Sequence, residues 1–169
     1  MLLLKNLLFT ILVPGTVAVY IPLQALGGLV RIRAMPWRAV QYLSLIPVVL
    51  GVALYAWCVW NFAVVGRGTP APVDAPKVLV TLGPYRHLRN PMYLGVLLVV
   101  LGEALLASSR SILLYSGILS LFFQLFVLLV EEPVLRRQFG TSYEDYCTAV
   151  RRWVPGRRGV ATATMVKRR

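Results

Sequence analysis

Three stretches of this chain carry no formal charge: 25 residues between Lys5 and Arg31, 28 between Arg38 and Arg67, and 20 between Arg110 and Glu131. A helix crosses the hydrocarbon of a bilayer with about 20 apolar residues, so each stretch is long enough to span one. A fourth apolar run, residues 92–107, is shorter and contains Glu103, but its Leu, Val and Gly leave few other readings in a chain 58% hydrophobic and 14% charged. Ordinary soluble domains carry about 25% charged residues. These features argue against a water-soluble globule. They predict an all-α integral membrane protein with about four spans, at residues 7–30, 40–65, 92–107 and 112–130. Pro14, Pro22 and Pro47 fall inside spans, where neighbouring helices can satisfy the backbone groups a proline frees, and kinks are expected there. The first run exceeds the 7 to 15 apolar residues of a secretory signal, which predicts that it stays attached as a span.

The net charge of +12 would point toward nucleic acid in a soluble chain, but position along the chain gives another reason for it. With both termini on the cytoplasmic side, 14 of the 18 basic residues face inward, as the positive-inside rule favours. Arg31, Arg33, Arg38 and Arg110 remain outside. Residues 156–169 read as a basic, solvated tail attracted to anionic headgroups. Stacking aromatics do not interleave with these basic residues, so nucleic acid is not an expected partner. Cys58 in a span and Cys147 in the inner-face region do not make a disulfide framework.

Polar residues concentrate at two places. After a proline-rich linker at residues 66–76, a short extended piece at residues 77–82 leads into Gly83, Pro84, Tyr85, Arg86, His87, Leu88, Arg89, Asn90, Pro91, Met92, Tyr93, Leu94 and Gly95. Pro91 suits the first turn of a helix and Asn90 the cap before it. The second cluster begins where the fourth span ends, with Glu131, Glu132 and Pro133, then Arg136, Arg137, Phe139 and Gly140. Two carboxylates at a helix C-terminus oppose its dipole, so a cationic partner is expected. Two spans joined by the short turn 108–111 return the chain to the face it left. This predicts that the arginine-rich mouth and the glutamate pair are neighbours at the inner membrane surface. Beyond Gly140, Thr141 and Glu144 have capping-box spacing. Tyr143, Tyr146, Cys147, Val150 and Trp153 recur at intervals of three and four, which predicts an amphipathic interfacial helix with Arg151 and Arg152 near headgroups at its end. It is either a surface anchor or a lid over the pocket. Glu103 is an ionisable residue within a span. It is expected to pair with Arg110 or with polar atoms of a neighbouring helix.

These residues resemble the integral-membrane methyltransferases that include isoprenylcysteine carboxyl methyltransferase and the phospholipid N-methyltransferases. The resemblance runs through Gly83-Pro84-Tyr85-Arg86, Arg89-Asn90-Pro91-Met92-Tyr93 with Gly95, Glu131-Glu132, and Phe139-Gly140 with Tyr143, Tyr146, Val150 and Pro155. Many relatives carry His where this chain has Asn90, so no imidazole role passes to that position. The chain is expected to be one membrane domain, with two N-terminal spans at residues 7–65 read from the charge-free runs and, as the resemblance implies, a methyltransferase core at residues 77–155. The resemblance implies S-adenosylmethionine as cofactor, no metal, and a lipophilic acceptor: a prenylcysteine carboxylate, a phospholipid amine or a small hydrophobic molecule. It also implies a cofactor site of Tyr85, Arg86, His87, Arg89, Asn90, Pro91, Tyr93, Gly95, Glu131 and Glu132. Arg89, Asn90 and Glu132 are the candidates for a catalytic role, and no base is assigned. The membrane is expected to be a bacterial inner membrane or the endoplasmic reticulum. Two other readings stand beside this one: a nicotinamide-dependent intramembrane reductase of the sterol-reductase type, and a non-enzymatic four-span scaffold.

Overall fold

Each charge-free run is helical over almost all of its described residues. The structure is a computed structural model, which describes residues 2–25, 38–66 and 78–155. Arg31 and Arg33, almost all of the proline-rich linker, and the basic tail at residues 156–169 lie outside the described residues. The N-terminal run comprises α1 (Leu2–Leu12), a π-helical turn (Thr16–Tyr20) and α2 (Ile21–Ala25). The second run is α3 (Ala39–Asn61), which contains Pro47 and continues as a π-helical turn, Phe62–Gly66. A helical hairpin follows, α4 (Pro91–Leu106) and α5 (Arg110–Phe126), then a third π-helical turn, Val127–Glu131. Two short helices follow, α6 (Glu132–Phe139) and α7 (Thr141–Ala149). Leu7–Ala25, Ala39–Val65 and Arg110–Phe139 are long and apolar enough to cross a membrane, while Pro91–Leu106 is a shorter apolar helix. The fold is that of an all-α membrane protein.

The exposed surface has the character of a lipid-facing one. Leu113, Leu114, Ile118, Leu121, Phe122, Leu125 and Leu129 of the α5 run are all exposed, as are Val49, Val52, Trp57 and Trp60 of α3. Apolar area on this scale would be an aggregation liability in water. The core lies between helices: Val96, Val100 and Ala104 of α4 pack with Ile112, Leu119 and Phe123 of α5, and Ala18 of the first span joins them.

The seam between α3 and α4 is built from absent side chains. A Cβ on Gly51 would lie 2.5 Å from the carbonyl oxygen of Gly95, and one on Gly95 would lie 2.9 Å from that of Gly51. Small residues let helix backbones approach where lipid supplies no hydrophobic drive between helices. The hairpin turn is equally local in origin. Ser108 takes a positive φ of 48°, and the Ser109 hydroxyl caps α5 by accepting from the amide of Ile112 at 3.4 Å.

Two local expectations change in the structure. The amphipathic helix ends at Ala149 rather than running through Trp153. Val150 is extended, because the amides of Arg89 and Asn90 donate to the carbonyls of Arg151 (2.9 Å) and Arg152 (3.3 Å) and draw this strand-like strap against the mouth of α4. The Thr141–Glu144 capping box does not form; α7 follows Gly140, whose φ is +54°, and Glu144 instead reaches Arg136 at 3.6 Å.

Candidate functional site

The site gathers at one end of the α4–α5 hairpin, where residues 78–90 form a mouth loop leading into α4. This loop is non-helical up to the 3-10 turn Gly83–Arg86, after which Pro91 opens α4 as its first residue. Asn90 takes the N-cap position, but its side chain caps nothing. Its Nδ2 is buried without a hydrogen-bond partner, and the residue is 6% exposed. Arg89 stands beside it with a side chain 9% exposed and an Nε likewise buried and unpaired. Unpaired buried donors are costly and therefore rare in folded proteins. Two on successive residues mark a place suited to an oxygen acceptor from outside the chain.

The hairpin returns the acidic doublet to this mouth. Adjacent residues of a helix point about 100° apart, and the two carboxylates part company accordingly. Glu131, last residue of the π-helical turn, accepts from the Tyr93 hydroxyl at 2.7 Å through Oε2. Glu132 is 5% exposed and accepts from Arg152 at 2.7 and 3.0 Å, with Arg89 Nη1 at 3.2 Å. The guanidinium groups of Arg152 and Arg89 meet the charge of this buried carboxylate. The cation expected beside the doublet is thus present twice.

Arg152 was expected at the headgroups; the strap instead turns it inward onto Glu132. Further bonds fasten the strap and α7 in place. Tyr146, 3% exposed, donates to the carbonyls of Tyr85 at 2.7 Å and Leu88 at 3.4 Å. Trp153 Nε1 donates to Gln124 Oε1 on α5 at 2.6 Å, and Arg89 Nη1 donates to Cys147 Sγ at 2.6 Å. Between strap and hairpin lies a cleft of about 490 Å³ lined by Arg89, Gln124, Arg136, Cys147, Arg152 and Trp153, among others.

The ten expected cofactor residues divide by position. Arg89 lines the cleft and contacts Glu132, while Asn90 and Pro91 are buried next to Arg89. Tyr93 and Glu131 form their own pair, with the Phe123 ring 4.7 Å from that of Tyr93. Tyr85 turns away toward α3, packing edge-on to Phe62 and clustering with Cys58 and Val80. Arg86 and His87 are exposed and do not line the cleft. Gly95 serves the α3 seam. Glu103 is far along α4; its Oε2 is buried and unpaired, and no ion pair joins it to Arg110. Sequence reading missed Arg152, Cys147, Gln124 and Trp153 as cleft residues. The one signal for Arg152 was the unmet need of Glu132 for a cation.

A model of the phospholipid methyltransferase family matches residues 39–142. The match covers more than half of the chain and takes in α3, the mouth loop, the hairpin and the acidic doublet. No curated protein and no solved structure matches the chain.

Proposed function

Because the chain belongs to the phospholipid methyltransferase family, we propose that it moves a methyl group from S-adenosylmethionine to a lipophilic amine that reaches the site from the bilayer. The observation that carries this reading is the pair of buried, unpaired donors, Arg89 Nε and Asn90 Nδ2, at the mouth to which the hairpin returns the Tyr93–Glu131 pair. This donor set fits a zwitterionic amino-acid group. A guanidinium and an amide suit a carboxylate, and Glu131 suits an ammonium or a ribose hydroxyl. Tyr93, bonded to Glu131, offers an aromatic ring that attracts cations. The cofactor, when bound, supplies a methyl group on a sulfonium that is already a good leaving group. The protein therefore has to align the reactants and keep water away.

The acceptor class follows from what surrounds Glu131. A carboxylate acceptor would need an arginine not already engaged on the bilayer side. An amine is favoured by acidic and aromatic neighbours, which Glu131, Tyr93 and Phe123 provide. An amine reaches the membrane surface as an ammonium ion and must lose a proton before its lone pair can attack. That proton leaves to water at the membrane surface before the acceptor enters, because Glu131 is assigned to the cofactor. Both termini and the mouth of α4 lie on the cytosolic side in this reading, where the cofactor is dissolved.

The test is incubation of membranes carrying the protein with methyl-labelled S-adenosylmethionine, followed by lipid extraction. Label in an amine-bearing lipid is expected, and label in a carboxyl ester would overturn the acceptor assignment. If no lipid is labelled and the purified protein binds a reduced nicotinamide dinucleotide, the reductase reading takes its place.

A further inference from the structure

We propose that Arg152 is a positioning residue whose task is to keep Arg89 free for an anion. This inference rests on the cofactor reading above. Its starting point is how the two arginines share Glu132. Arg152 makes the bidentate fork, Nε to Oε1 at 2.7 Å and Nη2 to Oε2 at 3.0 Å. Arg89 touches only Oε1, through Nη1 at 3.2 Å, and that oxygen is already taken by the closer Arg152 Nε. The same Nη1 also faces Cys147 Sγ, while Arg89 Nε stays unpaired although the side chain is nine-tenths buried.

A fork between guanidinium and carboxylate is the strongest pairing either group can make in a protein, because both N–H bonds and both oxygens are used at once. Only one arginine can make it with a given carboxylate edge. Arg152 and Arg89 are the two arginines within ion-pair distance of Glu132 among the described residues. Without Arg152, the buried Glu132 has one cation left to satisfy it, and Arg89 would be drawn into the fork. Its donors would then be spent inside the protein. Arg152 thus takes up the carboxylate that would otherwise quench Arg89, leaving Arg89 able to receive the carboxylate of the cofactor's amino-acid portion. The strap that delivers Arg152 lies beyond residues 39–142, so this part of the site is contributed from outside the family-matched segment.

Calorimetry on the solubilised full chain separates this role from simple support of the fold. S-adenosylhomocysteine carries the carboxylate, and 5′-methylthioadenosine lacks it. Arg152→Gln is expected to weaken the first about 10-fold while changing the second less than about 2-fold. Adding Glu132→Gln removes the competitor for Arg89, and the double variant is expected to recover to within about 3-fold of the wild type. If Arg152→Gln does not accumulate as folded protein, Arg152→Lys keeps the charge without the fork and should show the same selective loss at about 3-fold. Equal weakening of both ligands, or a double variant no better than the single one, overturns the proposal and leaves the cofactor reading intact. A wild-type protein that binds neither nucleoside overturns both.

Discussion

Where α3 meets α4, the chain brings two helices together by leaving side chains out; where the strap meets the mouth loop, it does so by making polar bonds. The first junction has Gly51 and Gly95 with backbone oxygens 2.5 and 2.9 Å from the missing Cβ atoms. The second has two backbone hydrogen bonds from Arg89 and Asn90, the Tyr146 hydroxyl on two carbonyls, and the Arg152–Glu132 fork. The contrast follows from solvent. Lipid gives helices no hydrophobic reason to associate, so close backbone approach has to supply dispersion. At the interface, water competes for every polar group, and specific pairing survives only where burial protects it. The seam should therefore fail by collision, and the junction by loss of a charge.

Substitution at the seam is expected to have the largest effect. Gly51→Leu drives a side chain into the α4 backbone and should cost at least about 3 kcal/mol. It would be seen as loss of monodisperse protein in detergent and a fall in thermal midpoint; normal stability would break the contrast. At the junction, Glu132→Gln leaves Arg152 without its ion pair. The cost should be about 2 to 3 kcal/mol, less than for a fully buried pair because Arg152 is a third exposed. Thermal melts of the variant should show that loss.

Binding effects come next in size. Arg89→Ala should weaken S-adenosylhomocysteine by about 1 to 3 kcal/mol, with Glu131→Gln at the lower end of that range, both read by calorimetry. Unchanged binding in both variants would mean that the unpaired donors serve no ligand. The smallest effect belongs to Arg136→Ala. Its bond to Glu144 is 3.6 Å long between exposed side chains, so a change in stability below about 0.5 kcal/mol is expected.

The spans could be read from sequence because a charge inside hydrocarbon is costly enough to leave long gaps in the charge pattern. That the arginine-rich mouth meets the glutamate pair could be read as well, because two crossings joined by a short turn leave the chain little choice of where to return; which side chain pairs with which, Arg89 with Glu132 and Tyr93 with Glu131, could not. The end of α7 could not. Tyr143, Tyr146, Cys147, Val150 and Trp153 keep helical spacing throughout, but at Val150 the distant amides of Arg89 and Asn90 prevail over local periodicity. That competition involves residues some 60 positions apart and leaves no mark on either segment alone. Gly95 shows a different obstacle. It sits within a motif that resembles a cofactor site, yet the reason for a glycine there is the carbonyl of Gly51 across the seam.

The 16 residues of α4 rise only about 24 Å, short of the roughly 30 Å of a typical hydrocarbon layer. Such a mismatch is relieved by thinning the bilayer locally or by sinking one end of the helix. Thinning brings the headgroups to the guanidinium and amide at its start, and sinking takes that end toward the acyl chains. On the proposed function, a lipid headgroup diffusing in the leaflet would then meet these groups without being lifted far out of the membrane.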